Sequence, residues 1–130
     1  MIKAVIFDCF GVLSGDGPNE ELFEFIKTLA TNYKIGMLSN VNSNMLDDLF
    51  TPEQMALFDE VVLSYQLGTV KPDPLMYQTI ANKLGVLPEE CVFVDDLEHY
   101  ASAAGNLGMQ YIHFTDTKQA IAELEEILNA

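Results

Sequence analysis

The chain has 130 residues, 49% hydrophobic and 20% charged, with six basic side chains against 20 acidic ones and a formal net charge of −14. That apolar fraction excludes intrinsic disorder and suits one domain, residues 1–130, with a core of its own. Unbroken apolar runs of about four residues fall far short of the roughly 20 that span a bilayer. The acidic surface, without a single arginine, argues against nucleic-acid backbones and anionic membranes as partners.

In chain order, Met1–Phe7 runs straight into a strand-like segment, with no small-residue cleavage site behind a longer apolar stretch, so no signal peptide is expected. The strands are predicted at Lys3–Phe7, Lys34–Leu38, Glu60–Leu63, Cys91–Val94 and Gln110–Phe114, short runs of the kind that parallel sheets bury. Helical stripes lie between them: Leu22, Phe25, Ile26 and Leu29, then Met76, Ile80 and Leu84, and last Ile121, Leu124 and Leu128. Thr51-Pro52-Glu53-Gln54 carries an N-cap, a proline at the first helical position and a glutamine at the third, and Asp73-Pro74 repeats the first two. Gly85 and Gly108 stand where helices should stop.

Strands alternating with helices predict an α/β fold, a parallel sheet with helices on both faces. Such sheets bind ligands beyond the carboxyl ends of their strands, where the strand order reverses. Asp8 follows the first predicted strand, Ser39 and Asn40 the second, Gln66 to Lys71 the third, and Asp95 and Asp96 the fourth. Three carboxylates, a hydroxyl and a lysine therefore fall at one edge. Clustered carboxylates repel one another unless they share a cation or keep a proton. An all-oxygen donor set favours Mg²⁺, and a carboxylate such as Asp8 can attack phosphorus while Ser39 and Lys71 meet the phosphoryl oxygens.

Cys9 and Cys91 form no CxxC or His-Cys cluster. One follows a strand and the other begins one, which puts them at opposite sheet ends, roughly 10 Å or more apart at about 3.3 Å per residue, too far for a disulfide. Reduced thiols fit a cytoplasmic protein. Gly15-Asp16-Gly17 lacks the third glycine of a dinucleotide fingerprint and reads as a turn. His113 is expected to be packed inside its strand and His99 to start a helix, while Met45, Met55 and Met76 are expected to fill core gaps.

Ile6-Phe7-Asp8-Cys9-Phe10-Gly11-Val12-Leu13, Leu38-Ser39-Asn40, Lys71-Pro72-Asp73-Pro74 and Val92-Phe93-Val94-Asp95-Asp96 resemble, in order, the four motifs of the haloacid dehalogenase (HAD) superfamily. The resemblance runs from Ile2 to about Phe114, nearly the whole chain. It implies a three-layer Rossmann-like fold with a five-stranded sheet in the order 5-4-1-2-3. It implies Asp8 as a nucleophile that forms an aspartyl intermediate, Ser39 and Asn40 on the phosphoryl group, and Lys71 steadying nucleophile and substrate. Mg²⁺ would be held by Asp8, Asp95, Asp96 and the backbone carbonyl of Phe10. The substrate would be a phosphorylated small molecule or an exposed phosphate on a macromolecule.

The sequence departs from the family pattern in three places. Phosphatases of the family usually carry a second Asp where Phe10 stands, as general acid and base, help worth about 10² to 10⁴ in rate. Its loss implies a weak phosphatase, a leaving group that needs no proton such as an acyl phosphate or a halide, or an inactive binding or scaffold domain; dehalogenases of the family usually have an aromatic there. No cap is inserted between Asp8 and the helix near Glu20, nor between the second and third motifs, so an open site is expected. Such a site suits a large substrate or a homo-oligomer in which a neighbouring subunit serves as lid. Tyr100 stands where relatives place an Asp or Asn behind the metal site, which implies weaker metal binding. A receiver-type phosphoacceptor is disfavoured, because there the paired acids follow the first strand and the lysine the last.

Overall fold

The structure, a computed structural model, describes residues 1–129. All five strands, β1 (Ala4–Phe7), β2 (Lys34–Ser39), β3 (Glu60–Leu63), β4 (Cys91–Asp95) and β5 (Gln110–His113), are parallel, in the order β3-β2-β1-β4-β5. Read from the other edge, this is the predicted 5-4-1-2-3. Strand bounds agree with expectation to within one residue at each end. β1 is buried along its whole length, and alternation splits it between two cores. Val5 and Phe7 face one core with Leu22, Phe23, Ile26 and Leu124; Ala4 and Ile6 face the other with Met76, Tyr77, Ile80 and Leu84.

The first core is covered by α1 (Glu20–Leu29) and α7 (Thr117–Leu128), the second by α5 (Pro74–Leu84) and α6 (Glu98–Gly105). In α1 the buried face is Leu22, Phe23, Ile26 and Leu29; Phe25 is only partly buried. Phe23 takes that inner place because its ring meets Phe50 and Phe58, with centroids 5.4 and 6.1 Å away. Those two phenylalanines flank the short helices α2 (Leu46–Leu49) and α3 (Pro52–Met55). The capping box at Thr51 forms as predicted, although its helix lasts only four residues. Asp73 caps α5, its carboxylate accepting from the Leu75 amide at 2.9 Å, and Gly85 ends that helix in the left-handed region. α5 lies close against β2 because residue 36 is glycine: a Cβ there would stand 3.0 Å from Leu84 Cδ1.

Three sequence expectations are corrected. His113 is exposed, not packed, because β5 is an edge strand whose outer side chains meet solvent; one ring nitrogen lies 3.0 Å from the Asp96 carbonyl. Met45 is exposed, outside the core that takes Met76 and partly takes Met55. Ile121 and Leu128 are only partly buried, and the inner face of α7 is Ala120 and Leu124. The cysteines are free, buried and at opposite sheet ends, since Ala4 pairs with Cys91 while Cys9 lies beyond Phe7. Among the described residues no helix is long and apolar enough to cross a membrane.

Residues 8–19 join β1 to α1 in a tight loop. Asn19 anchors it, donating to the Val12 carbonyl at 3.0 Å and to Thr117 Oγ1 at 2.8 Å, while its Oδ1 accepts from the Leu22 amide and caps α1. The loop, and with it the exit from β1, is thereby held against both helices of the first core.

Candidate active site

The sheet order reverses at β1, which has β2 on one side and β4 on the other, with Phe7 level with Met37 and Val94. Asp8 leaves β1 at this switch, its amide donating to the Val94 carbonyl at 2.9 Å. Ser39 ends β2 and Asp95 ends β4, so the three residues reach the same sheet edge, Asp8 level with Asp95 and Ser39 one residue beyond. After β3 the chain turns through the short helix α4 (Ser64–Leu67) and left-handed Gly68 before returning Lys71 to that edge. Asn40 fixes the return: its Oδ1 accepts from the Lys71 amide at 2.8 Å and its Nδ2 donates to the Lys71 carbonyl at 3.2 Å. Both halves of the Asn40 amide are therefore engaged by the lysine's backbone, although the residue also lines the cavity.

Among the described residues Lys71 is the buried cation, at 2% exposure. Its Nζ donates to Asp8 Oδ1 at 2.7 Å, Asp95 Oδ2 at 2.8 Å and the Leu38 carbonyl at 3.1 Å. The rings of Phe93 and Tyr100 each lie 5.4 Å from it, adding cation–π attraction. Each of the three ammonium hydrogens of this buried lysine thus has an acceptor. Tyr100 thus has a place the sequence did not suggest, against the lysine.

Asp8, Asp95 and Asp96 each bring a carboxylate oxygen within 4.8 Å of the others. Against them stands one ammonium, an excess of two negative charges. Burial is the main reason the Asp8 pKa rises from 3.8 to about 7; Lys71 pulls it down, and Asp95 and Asp96 push it up. Burial raises Asp95 too, against Lys71 and the Leu97 amide that donates to its Oδ1 at 3.0 Å. Such a cluster is under electrostatic tension that a cation or a proton relieves. The room for Asp96 comes from Gly11, whose φ of +86° few side chains tolerate and whose absent Cβ would run into the Asp96 carboxylate. The three carboxylates, all hard oxygen donors around an uncompensated double charge, fit a divalent cation such as Mg²⁺.

These groups line an open cavity of about 400 Å³ with Phe10, Gly11, Ser39, Leu97 and Tyr100. Ser39 Oγ is buried and has no hydrogen-bond partner, a donor waiting for an acceptor. Phe10 is 42% exposed beside Asp8, its ring standing in the cavity mouth. Cys9, next to the aspartate, is inert: burial, then the Asp8 charge, push its thiol up to about 11. The structure thus brings together Asp8, Phe10, Ser39, Asn40, Lys71, Asp95 and Asp96. Gln66, from the stretch after the third strand, points elsewhere, toward Tyr65. Leu97 and the space-making role of Gly11 were missed; a glycine three residues past a motif aspartate was the only available signal.

Residues 14–108 match the haloacid dehalogenase-like hydrolase family, and the chain belongs to it. Among its relatives are the bifunctional epoxide hydrolase 2 of Rattus norvegicus, 34% identical over 95 residues (67% of this chain, 17% of the relative), and Phosphatase MT3486 of Mycobacterium tuberculosis, 41% identical over 80 residues (59% and 36%). The chain spans a minor part of the length of these relatives. In fold it superposes on an uncharacterized Corynebacterium glutamicum protein with a TM-score of 0.88, at 23% identity and covering 99% of this chain and 96% of that one. A HAD-family enzyme of Bacteroides thetaiotaomicron, solved with magnesium and inorganic phosphate, superposes with a TM-score of 0.74 at 16% identity, covering 92% of this chain and 99% of that one.

Proposed function

We propose that this chain is a Mg²⁺-dependent phosphohydrolase that works through an aspartyl intermediate on Asp8, on a phosphorylated small molecule or an exposed phosphate of a macromolecule. The observation that carries this reading is one buried lysine shared by two carboxylates beside an unpartnered serine hydroxyl, all at one cavity. We read residues 1–130 as a single HAD-like core whose site has no covering domain.

Asp8 Oδ2, the oxygen not held by Lys71, attacks phosphorus. Lys71 keeps the carboxylate oriented and its charge partly balanced, and Asn40 positions the lysine. Ser39 Oγ donates to a phosphoryl oxygen, which satisfies a hydroxyl otherwise buried without a partner. Asp8, Asp95, Asp96 and the Phe10 carbonyl would hold Mg²⁺, which supplies positive charge that keeps Asp8 ionised and attracts the phosphoryl dianion. Phe10 has no proton to give, so departure of an alkoxide is unaided and alkyl phosphates turn over slowly.

The test is turnover of acetyl phosphate and 4-nitrophenyl phosphate in Mg²⁺, with and without EDTA, by the natural chain and by Asp8→Asn. Activity should need the metal and fall at least about 10³-fold in the variant. Equal residual activity in both proteins would leave a binding or scaffold domain. A second reading, dehalogenation, is favoured by Phe10 alone, because a halide leaves without a proton; metal-independent halide release from a 2-haloacid would establish it.

A further inference from the structure

Resting on the phosphohydrolase reading, we infer that Phe10, Leu97 and Tyr100 form an apolar shelf for the leaving group, and that the site selects phosphate monoesters of flat, weakly basic alcohols, aryl phosphates, over alkyl phosphates. The cavity has two unlike halves. Its floor is Asp8, Ser39, Lys71 and Asp96, and its wall is Phe10, Leu97 and Tyr100. Phe10 and Leu97 are 42% and 45% exposed, so the wall presents apolar surface to whatever the phosphoryl group is attached to. Leu97 is held there because its amide binds Asp95 Oδ1 at 3.0 Å, which ties the wall to the carboxylate cluster. Tyr100 turns one ring face to the Lys71 ammonium.

Among the described residues, none of the three that form this wall is an acid. Two facts then select the same leaving group. A phenol, with a pKa of about 10, departs as phenolate far more readily than an alkoxide does. An aromatic ring also buries apolar surface against the exposed Phe10 and Leu97, as a sugar or polyol does not. In the first step an Asp8 oxygen bonds to phosphorus and the P–O(aryl) bond breaks, its electron pair leaving on the aryl oxygen. The phenolate takes its proton from solvent after departure. In the second step water bonds to phosphorus, the P–O(Asp8) bond breaks and returns its pair to the carboxylate, and both water protons leave with dihydrogen phosphate.

The experiment is kcat/KM for phenyl phosphates of graded leaving-group acidity, for glycerol phosphate and for acetyl phosphate, in the natural chain, Phe10→Asp, Phe10→Ala and Leu97→Ala, each checked for folding by its thermal melt. Phenyl phosphate should exceed glycerol phosphate by about 10²-fold or more, with rates rising steeply as the phenol becomes more acidic. Phe10→Asp should narrow that ratio at least tenfold by raising alkyl turnover. Phe10→Ala and Leu97→Ala should raise KM for phenyl phosphate about tenfold more than for acetyl phosphate, which has no ring to lose. Alkyl turnover within tenfold of aryl turnover, or equal KM shifts for both substrates, overturns the shelf while leaving the phosphohydrolase reading intact. Failure of all substrates, acetyl phosphate included, overturns both.

Discussion

The two ends of the sheet carry cavities of similar size, about 400 Å³ at the carboxyl end and about 440 Å³ at the amino end. Each has a lysine and a carboxylate in its wall. At the amino end Lys3, Lys34 and Asp59 are exposed: Lys3 pairs with Glu90 in solvent with 57% of its side chain uncovered, and Asp59 is occupied with the Ile35 amide at 2.8 Å. At the carboxyl end Lys71, Asp8 and Asp95 are buried, and a third carboxylate crowds them. Volume does not distinguish the two ends; desolvation does. In water a charge pair is worth little, whereas a buried cluster with uneven charge stays primed for a cation or anion.

The comparison breaks first at the lysines. Lys71→Met should destabilise the protein by about 3 to 5 kcal/mol, because it leaves two buried carboxylates without their ammonium. Chemical denaturation at neutral pH checks this, and Mg²⁺ should recover part of the loss. A change below about 1 kcal/mol would mean the carboxylates are neutral or solvated and the contrast between ends is false.

The next effect is on pH. Asp8 has a folded pKa of about 7, raised above its ordinary 3.8. The folded, metal-free protein therefore binds a proton that the unfolded chain releases between those values. Stability in EDTA should be greatest at the acid side of this window and fall as pH rises through about 7, by an amount on the order of 2 to 4 kcal/mol. Mg²⁺, which favours ionised Asp8, should remove this fall below about pH 7, and Asp8→Asn should flatten the slope. Melting curves between pH 4.5 and 8.5 measure it.

Gly11→Ala sharpens the comparison further. A side chain there meets an unfavourable φ and the Asp96 carboxylate, and should cost about 1 to 3 kcal/mol. Because the clash falls on one of the three carboxylates, it should also weaken Mg²⁺ binding, read by calorimetric titration. The smallest effect belongs to the opposite end: Lys3→Met should change stability by less than about 1 kcal/mol, since its ion pair with Glu90 is solvated.

The same contrast explains what was legible beforehand. The strands were readable because parallel strands buried on both faces need unbroken apolar runs, and Asp8, Ser39 and Asp95 were readable because each stands at the end of such a run. His113, Met45 and Phe25 were misjudged because pattern reports that a residue lies on a strand or helix, not which neighbour covers it. Phe23 is inside because Phe50 and Phe58 wait for it, some 30 residues away along the chain. Leu97 and the role of Tyr100 were invisible for the same reason.

From its amino acids alone this chain determined its layers, where its strands fall along the chain and the edge where its chemistry collects, because periodicity and turn residues are local properties. Tertiary structure decided which charges lose their water. The bridging of Asp8 and Asp95 by Lys71, the clamp of Asn40 on the lysine backbone and the space Gly11 leaves for Asp96 all join segments far apart in sequence. Burial depends on what arrives from elsewhere in the chain, and it is burial that turns ordinary carboxylates and a lysine into a site.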